Sequence, residues 1–344
     1  MRTTRTTVTG EEIADLLTHY DLGELLSCKR VEHGYVNENW FIDTTTGRYF
    51  LKRRNPSLRN PRRLNAQHVL VQHLNAAGFP APAIIPTRDG STFHDLDDET
   101  YEIHSYIPGA IGDVRRPAHF AAAARTLGWY HATVEGFNHQ DLHPTRRYDP
   151  SILAQIMARL VDDWRGRTSP ALDRLLGKLQ DHVTDLRSRF RQWGPLPQLV
   201  IHGDYYTENL IFQGDVVAGV VDYDLARWSW RAIELAEALI YFAAERPGRL
   251  EHVVYPGVLD LSAAQRFLAA YQETINLSNA EIGELPHMVR LIWLSASLDP
   301  PLGPRLSLDQ APHALPEILL LAGWAQAHAS DIVEIGFAMQ EKGE

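Results

Sequence analysis

A single cysteine, Cys28, stands in 344 residues. It excludes an intrachain disulfide and fits a reducing compartment. The simplest role for such a residue is a small core side chain. A basic excess is also missing. Lysine and arginine number 33 against 43 aspartates and glutamates, a net charge of −10. A nucleic-acid partner needs a basic footprint, so that class is excluded; a cationic substrate is compatible with the balance. Long apolar runs are absent too. Runs such as Ile318 to Trp324 fall far short of the ~20 residues that cross a bilayer. Met1 to Asp21 is polar and threonine-rich, without a signal-peptide core. These absences predict a cytoplasmic chain with no membrane partner and leave the oligomeric state open. The 16 histidines show no metal-site spacing such as H-E-x-x-H, and no internal repeat is visible.

What is present is an ordinary globular composition, 44% hydrophobic and 22% charged. Thr9 with Glu12 forms a capping pattern and predicts a helix over Gly10 to Thr18. Lys29 to Glu32, Trp40 to Thr44 and Tyr49 to Arg53 read as strands, the first two around a Gly34–Asn39 loop. Arg62 to Ala77 reads as a helix stopped by Gly78, with Leu64, Val69, Leu70 and Leu74 on or near one face. Short strands follow at Ile84 to Pro86 and Ser91 to His94, then an acidic turn at Asp95 to Glu99 and a strand at Tyr101 to Tyr106. After Pro108-Gly109 strand signals nearly vanish. Helices are predicted over 120–135, 150–164 and 171–193, and from Ala232 onward helix follows helix. Ser262 with Gln265 and Ser278 with Glu281 are further capping patterns. Only Gln198 to Ile201, Leu210 to Phe212 and Val216 to Val221 look extended in this half. The expected organisation is an α+β fold of two lobes, a small β-rich lobe over residues 1–107 and a larger, mainly helical lobe over 108–344. A cleft between lobes is a common place for a ligand.

Chemistry concentrates in three short apolar strands that each end in polar residues. They are Leu199-Val200-Ile201-His202-Gly203-Asp204, Asn209-Leu210-Ile211-Phe212 and Gly219-Val220-Val221-Asp222-Tyr223-Asp224. Carboxylate and amide oxygens in a small space suit Mg²⁺, which keeps waters and is completed by substrate phosphates. Phosphoryl transfer needs such a site, and a carboxylate beside it to take the proton of the attacking hydroxyl.

His202-Gly203-Asp204 with Asn209 five residues on, and Asp222 after an apolar strand, resembles the signature of the aminoglycoside phosphotransferase, choline kinase and homoserine kinase group. That family is related in fold to protein kinases. The resemblance implies a bilobal protein-kinase-like fold and a kinase that uses ATP and Mg²⁺ to phosphorylate a small hydroxyl-bearing molecule. The acceptors it implies are an amino alcohol, a hydroxy amino acid, an amino sugar or an aminoglycoside. It implies Asp204 as catalytic base, Asn209 and Asp222 as metal ligands, and His202 as a structural loop residue. Gly34-Tyr35-Val36-Asn37-Glu38-Asn39-Trp40-Phe41 looks like the nucleotide loop of homoserine kinases, and Gly47 to Lys52 like the strand with the phosphate-binding lysine. Nucleotide contacts are thus implied at Gly34, Asn37, Lys52 and Gln67, and at Ser105 and Ile107 where the lobes join. Leu127 to Ala132 and Ile233 to Ala236 are similar to further family segments.

One departure stands out. The family often pairs the lysine with a glutamate on the next helix, but no acidic residue lies between Lys52 and Asp89. The aligned position is Gln67. Either its amide holds Lys52 by a hydrogen bond without an ion pair, or an acid from elsewhere substitutes. Of the other polar candidates, Glu234, Glu237, Asp299 and Asp331 read as surface charges that could meet a cationic substrate. His131 reads as a hydrogen-bonded core histidine, and Trp228, Trp230, Trp293 and Trp324 as packing residues. Two further functions fit parts of the pattern: a pseudokinase-like nucleotide-binding regulator, and a kinase of protein side chains. Asp222-Tyr223-Asp224 is also similar to the nucleophile motif of haloacid-dehalogenase-like phosphatases, but no alternating βα pattern surrounds it.

Overall fold

Thr9 caps the first helix, α1 (Gly10–Leu17), its hydroxyl accepting the Glu12 N–H at 3.1 Å. The computed structural model describes residues 8–32, 36–143, 147–245, 250–299 and 306–338. Strands β1 (Leu25–Arg30), β2 (Glu38–Thr44) and β3 (Gly47–Arg53) follow. Helix α2 (Pro61–Ala76) is capped by Asn60, which accepts the N–H groups of Arg62 and Arg63, and has proline at its first position. Then come β4 (Ile84–Ile85), β5 (His94–Leu96), β6 (Glu99–Ser105) and β7 (Ala110–Ile111). The acidic turn read from sequence is a two-residue hairpin. Asp97 and Asp98 both have positive φ, the backbone such a turn requires, and Leu96 pairs with Glu99.

These strands form an antiparallel sheet in the order β1-β2-β3-β6-β4, with β5 on β6. Its register decides which side chains meet. Trp40, Leu51, Ile103 and Ile85 are successive partners across it. Trp40, Leu51 and Ile103 pack with Ile13, Leu16 and Leu17 of α1 into one core. Side chains alternate along a strand, so the next row, Asn39, Lys52 and Glu102, faces the other way. On that side the buried Leu64, Leu70 and Leu74 of α2 are joined by buried Gln67 and His68. Val69, expected on the apolar face, is 41% exposed. Cys28 lies on β1, whose residues are mostly exposed, and is not a core residue. An edge strand has no neighbour on one side to cover it.

Further along the chain come α3 (Pro117–Thr133), α4 (Pro150–Trp164), α5 (Pro170–Phe190), β8 (Gln198–Ile201), β9 (Leu210–Gln213), β10 (Val216–Val220) and β11 (Arg227–Trp230). After these come α6 (Arg231–Phe242), β12 (Ala244–Glu245), β13 (Val258–Leu259), α7 (Leu261–Gln272), α8 (Asn279–Leu298), α9 (Ala311–Ala327) and α10 (Ala329–Phe337). The uninterrupted run of helices expected after Ala232 is broken by the β12–β13 pair. Helix α7 is capped by Asp260, not by Ser262. Ser278 and Glu281 form the expected capping box at α8. Among the described residues no helix is long and apolar enough to cross a membrane.

By contacts the chain divides into two units. The first holds Met1–Ile111, His139–Leu142 and Asn209–Ala226; the second holds Gly112–Asn138, His143–Glu208 and Arg227–Glu344. Within the first, β10, β9 and β7 form a small sheet of their own. Within the second, α8 is buried along most of its length, and α3 meets α7 at a glycine. A Cβ on Gly128 would stand 2.8 Å from the Tyr271 carbonyl oxygen and 3.0 Å from Thr274 Cβ. Alanine is the better helix former by ~1 kcal/mol, but overpacking costs about 1–3 kcal/mol. Gly128→Ala is therefore expected to lower the thermal midpoint by a few degrees; an unchanged or raised midpoint in a melting experiment would show that α3 and α7 are not in close contact there.

Candidate active site

In the second unit, β8 delivers His202-Gly203-Asp204. Gly203 has φ +81°, a backbone open to glycine at little cost. The turn is braced from α6. Glu234 accepts the His202 N–H at 3.0 Å through Oε2 and the Gly203 N–H at 2.5 Å through Oε1. His131 Nε2 lies 2.9 Å from the same Oε2, and its Nδ1 2.7 Å from the Tyr271 hydroxyl. Burial would raise the Glu234 pKa, but His131 and the Gly203 N–H outweigh it and hold it below the ordinary value. Glu234 is thus no surface charge: it is the buried anchor of the loop. His131 and His202 are fully buried, and Asp204 follows half-buried, its N–H donating to His202 Nδ1 at 3.3 Å.

In the first unit the Val221 N–H donates to the Asn209 carbonyl at 3.0 Å, joining the two loops that carry Asn209 and Asp222. Asp222 holds a left-handed backbone, φ +68° and ψ +73°. That conformation costs a non-glycine residue roughly 1–3 kcal/mol and collects at functional sites. Asn209 is buried, while the Asp222 side chain is 40% exposed.

Lys52 is 6% exposed and lies among three carboxylates. Its Nζ is 3.1 Å from Asp224 Oδ1, 3.2 Å from Asp222 Oδ1 and 3.8 Å from Glu102 Oε1. Burial opposes the ammonium; Asp222 and Asp224 outweigh it and hold its pKa above the ordinary value. Asp224 also meets Arg54 Nη1 at 2.5 Å and accepts from Asn37 Nδ2. Burial would raise the Asp224 pKa, but Lys52 and Arg54 bring it down to about 2. Glu102 is fully buried, with Arg54 Nη2 at 2.9 Å and His68 Nε2 at 2.6 Å. Burial raises its pKa too, and Arg54 with His104 holds it well below the ordinary range.

The structure therefore brings Asn37, Lys52, Gln67, Asn209 and Asp222 into one unit, and places Asp204 in the other. Gln67 does not hold Lys52. Its Nε2 donates instead to the Asp224 carbonyl at 2.7 Å, and the acids around Lys52 come from β6 and the Asp222–Asp224 segment. Ser105 is engaged with Ala83, its N–H and hydroxyl oxygen each bonded there at 2.8 Å. Ile107 packs where a Cβ on Gly219 would have to stand. Gly34 lies outside the described residues.

Sequence reasoning missed Asp224, Arg54 and Glu102. It also missed a polar cluster in the second unit. Glu237, read as a surface charge, is buried and accepts from the Tyr148 hydroxyl and from Arg147 Nη2 at 3.1 Å. The Tyr255 hydroxyl lies 3.5 Å from Glu237 and 3.2 Å from the Tyr241 hydroxyl, and the Tyr206 ring lies 5.3 Å from that of Tyr241. The tryptophans do not converge. Trp293 packs on Trp324 at 6.0 Å, Trp230 on Trp193 at 5.4 Å, and Trp228 on His143 at 4.8 Å.

Solved structures share the fold. An aminoglycoside phosphotransferase from Alicyclobacillus acidocaldarius superposes with a TM-score of 0.67 at 18% identity, over 97% of this chain and 98% of that one. An amicoumacin kinase in complex with AMP-PNP and Ca²⁺ gives 0.66 at 12% identity, over 91% and 93%. The fold is protein-kinase-like, a mixed α+β architecture. The sequence signature of the phosphotransferase enzyme family matches residues 27–274, and the chain belongs to that family. A homoserine kinase of Phenylobacterium zucineum is 32% identical over 289 residues, 82% of this chain and 81% of its own length. The protein is a small-molecule kinase, and its family implies a nucleotide and a divalent metal.

The Gln67 geometry makes a specific prediction. Gln67→Glu replaces a donor by an acceptor opposite the Asp224 carbonyl. It should destabilise the protein by about 1–3 kcal/mol at neutral pH. The loss should shrink in mild acid, where the protonated replacement can donate. Denaturant titrations of the two proteins at two pH values check this; a stabilised variant would return Gln67 to Lys52.

Proposed function

We propose that the protein transfers the γ-phosphoryl group of ATP, with Mg²⁺, to the hydroxyl of a small amino-bearing molecule, with homoserine as the first candidate. The observation that carries the reading is the buried Lys52 ammonium held by Asp222 and Asp224, on a segment tied to the Asn209 loop. Nucleotide binding is assigned to the N-terminal lobe, residues 1–107, with contacts from Gly34, Asn37, Ser105 and Ile107 beside Lys52. Catalysis and acceptor binding are assigned to the lobe that follows.

Asn209 and Asp222 fit a hard divalent ion. One amide oxygen and one half-exposed carboxylate are the modest protein contribution Mg²⁺ takes when water and phosphate oxygens complete its shell. Bound there, Mg²⁺ would neutralise charge on the transferred phosphoryl group. Lys52, which Asp222 and Asp224 share in this structure, would hold the nucleotide phosphates, with Asp224 as its remaining close counter-charge. Asp204, steadied by the Glu234-braced turn, accepts the proton of the acceptor hydroxyl.

The acceptor reading rests on two supports. Relatives named homoserine kinases match most of the chain. The unit that holds Asp204 also holds the buried Glu237 with Tyr206, Tyr241 and Tyr255, and Asp204 and Glu237 both act electrostatically on Tyr241. Glu237 and the Arg147 that pairs with it at 3.1 Å can exchange that ion pair for one with a substrate ammonium group and one with a substrate carboxylate.

An ATP-consumption screen over hydroxy amino acids, amino alcohols, amino sugars and aminoglycosides tests the acceptor. Homoserine is expected to give the highest kcat/KM. Asp204→Ala should lose roughly 10²–10⁴-fold in turnover with ATP affinity nearly intact; a rate within about threefold of wild type would remove Asp204 from the chemistry. Glu237→Gln should raise the acceptor KM about tenfold or more and leave the ATP KM unchanged, since one charged hydrogen bond contributes roughly 1.5–3 kcal/mol. An unaltered acceptor KM would move the ammonium site elsewhere.

A further inference from the structure

We propose that Glu102 positions Lys52 for the nucleotide and links it, through His68, to helix α2. The proposal rests on Lys52 serving the nucleotide phosphates, as proposed above.

A buried ammonium needs a counter-charge that stays in place while the nucleotide comes and goes. The three carboxylates around Lys52 differ in how free they are to stay. Asp222 is half-exposed and is assigned to the metal. Asp224 sits two residues on in the same short segment and already serves Arg54 and Asn37. Glu102 is different. It is the cross-strand register partner of Lys52 in the main sheet, so backbone pairing fixes both residues on one face. It is 0% exposed, with Arg54 Nη2, His68 Nε2 and His104 Nε2 at 2.9, 2.6 and 3.2 Å. A carboxylate with this many partners has one position.

His68 is the residue after Gln67 on α2. The helix has no carboxylate of its own to offer, because no acid occurs between Lys52 and Asp89. Two contacts join α2 to the lysine: one runs from Gln67 through Asp224, and the one carried by a sheet residue runs from His68 to Glu102 to Lys52, over 2.6 Å and 3.8 Å. Glu102 is a positioning residue: it acts on the nucleotide only through Lys52. A role confined to neutralising Arg54 would make the effect of Glu102→Gln the same with or without the Lys52 side chain, and the two roles separate on that point.

A double-mutant cycle tests this with Glu102→Gln, Lys52→Met and the pair. Two quantities are read: affinity for a non-hydrolysable ATP analogue with Mg²⁺ by calorimetry, without acceptor, and kcat and KM for ATP with the best acceptor. Glu102→Gln is expected to lower nucleotide affinity and kcat/KM by about 10–100-fold in the wild-type background. In the Lys52→Met background it should add less than about twofold, the mark of two residues acting as one. Wild-type behaviour of Glu102→Gln, or an equal loss in both backgrounds, overturns the proposal while leaving the kinase reading intact. A wild-type protein that binds no nucleotide and consumes none overturns both. Should Glu102→Gln fail to fold, His68→Asn carries the test. It spares the Arg54 contact and loosens only the link to α2; nucleotide affinity equal to wild type then overturns the proposal.

Discussion

Taking an ammonium group out of water is costly unless carboxylates meet it, and that constraint on Lys52 organises the first unit. Lys52 is buried by its place in β3. Three acids answer it, one from β6 and two from the segment after β10. Three acids around one cation overshoot by two, and Arg54, two residues on and on the same face, reduces the excess to one by reaching both Asp224 and Glu102. Removing one member of such a set leaves a buried charge uncompensated, a loss of about 3–5 kcal/mol for a buried pair. The register that pairs Lys52 with Glu102, the Asp222 backbone and the Gln67 and His68 contacts of α2 all meet at this cluster.

The second unit solves a related problem with the opposite sign. Glu234 is a buried carboxylate, and its partners are backbone N–H groups and a histidine rather than a full cation. Backbone donors at a glycine turn are fixed in direction, so the carboxylate that accepts them also fixes the loop. Asp204 emerges from this turn with its backbone already set. Under the proposed role of Asp204 as base, its geometry depends on these supporting hydrogen bonds as much as on the side chain itself.

Much of this is legible in the sequence. Lys52 stands at the end of an apolar run, and the three strand-end motifs draw attention to Asp204, Asn209 and Asp222, while the roles expected of those three come from the family resemblance. Caps at Thr9 and Ser278 are readable because the hydrogen bond is local. What sequence does not disclose is partnership across long separations. Gln67 reads as the partner of Lys52 only if the helix must supply one; the acids come instead from residues 50 and more than 100 positions away. Glu234 and Glu237 look like surface charges because their histidine, tyrosine and arginine partners are scattered along the chain. Val69 and Cys28 look apolar and buried, yet helix rotation and an edge strand leave them outside. Pairs as short as β12 and β13 carry too few residues for any periodicity to register.

The union of Asn209–Ala226 with residues 1–111 in one unit bears on how the chain is made. A ribosome releases the main sheet long before it releases Asp222 and Asp224. Another 115 residues must follow Ile111 before Ala226 is synthesised, roughly ten seconds at ordinary elongation rates. Through that interval Lys52 and Arg54 have Glu102 but lack the two aspartates, and β7 lacks the strand it pairs with. The nascent lobe is therefore born with surplus positive charge buried or half-buried beside an open edge. Its completion waits on Ala226, by which point residues 112–138 and 143–208 of the second unit have already been made.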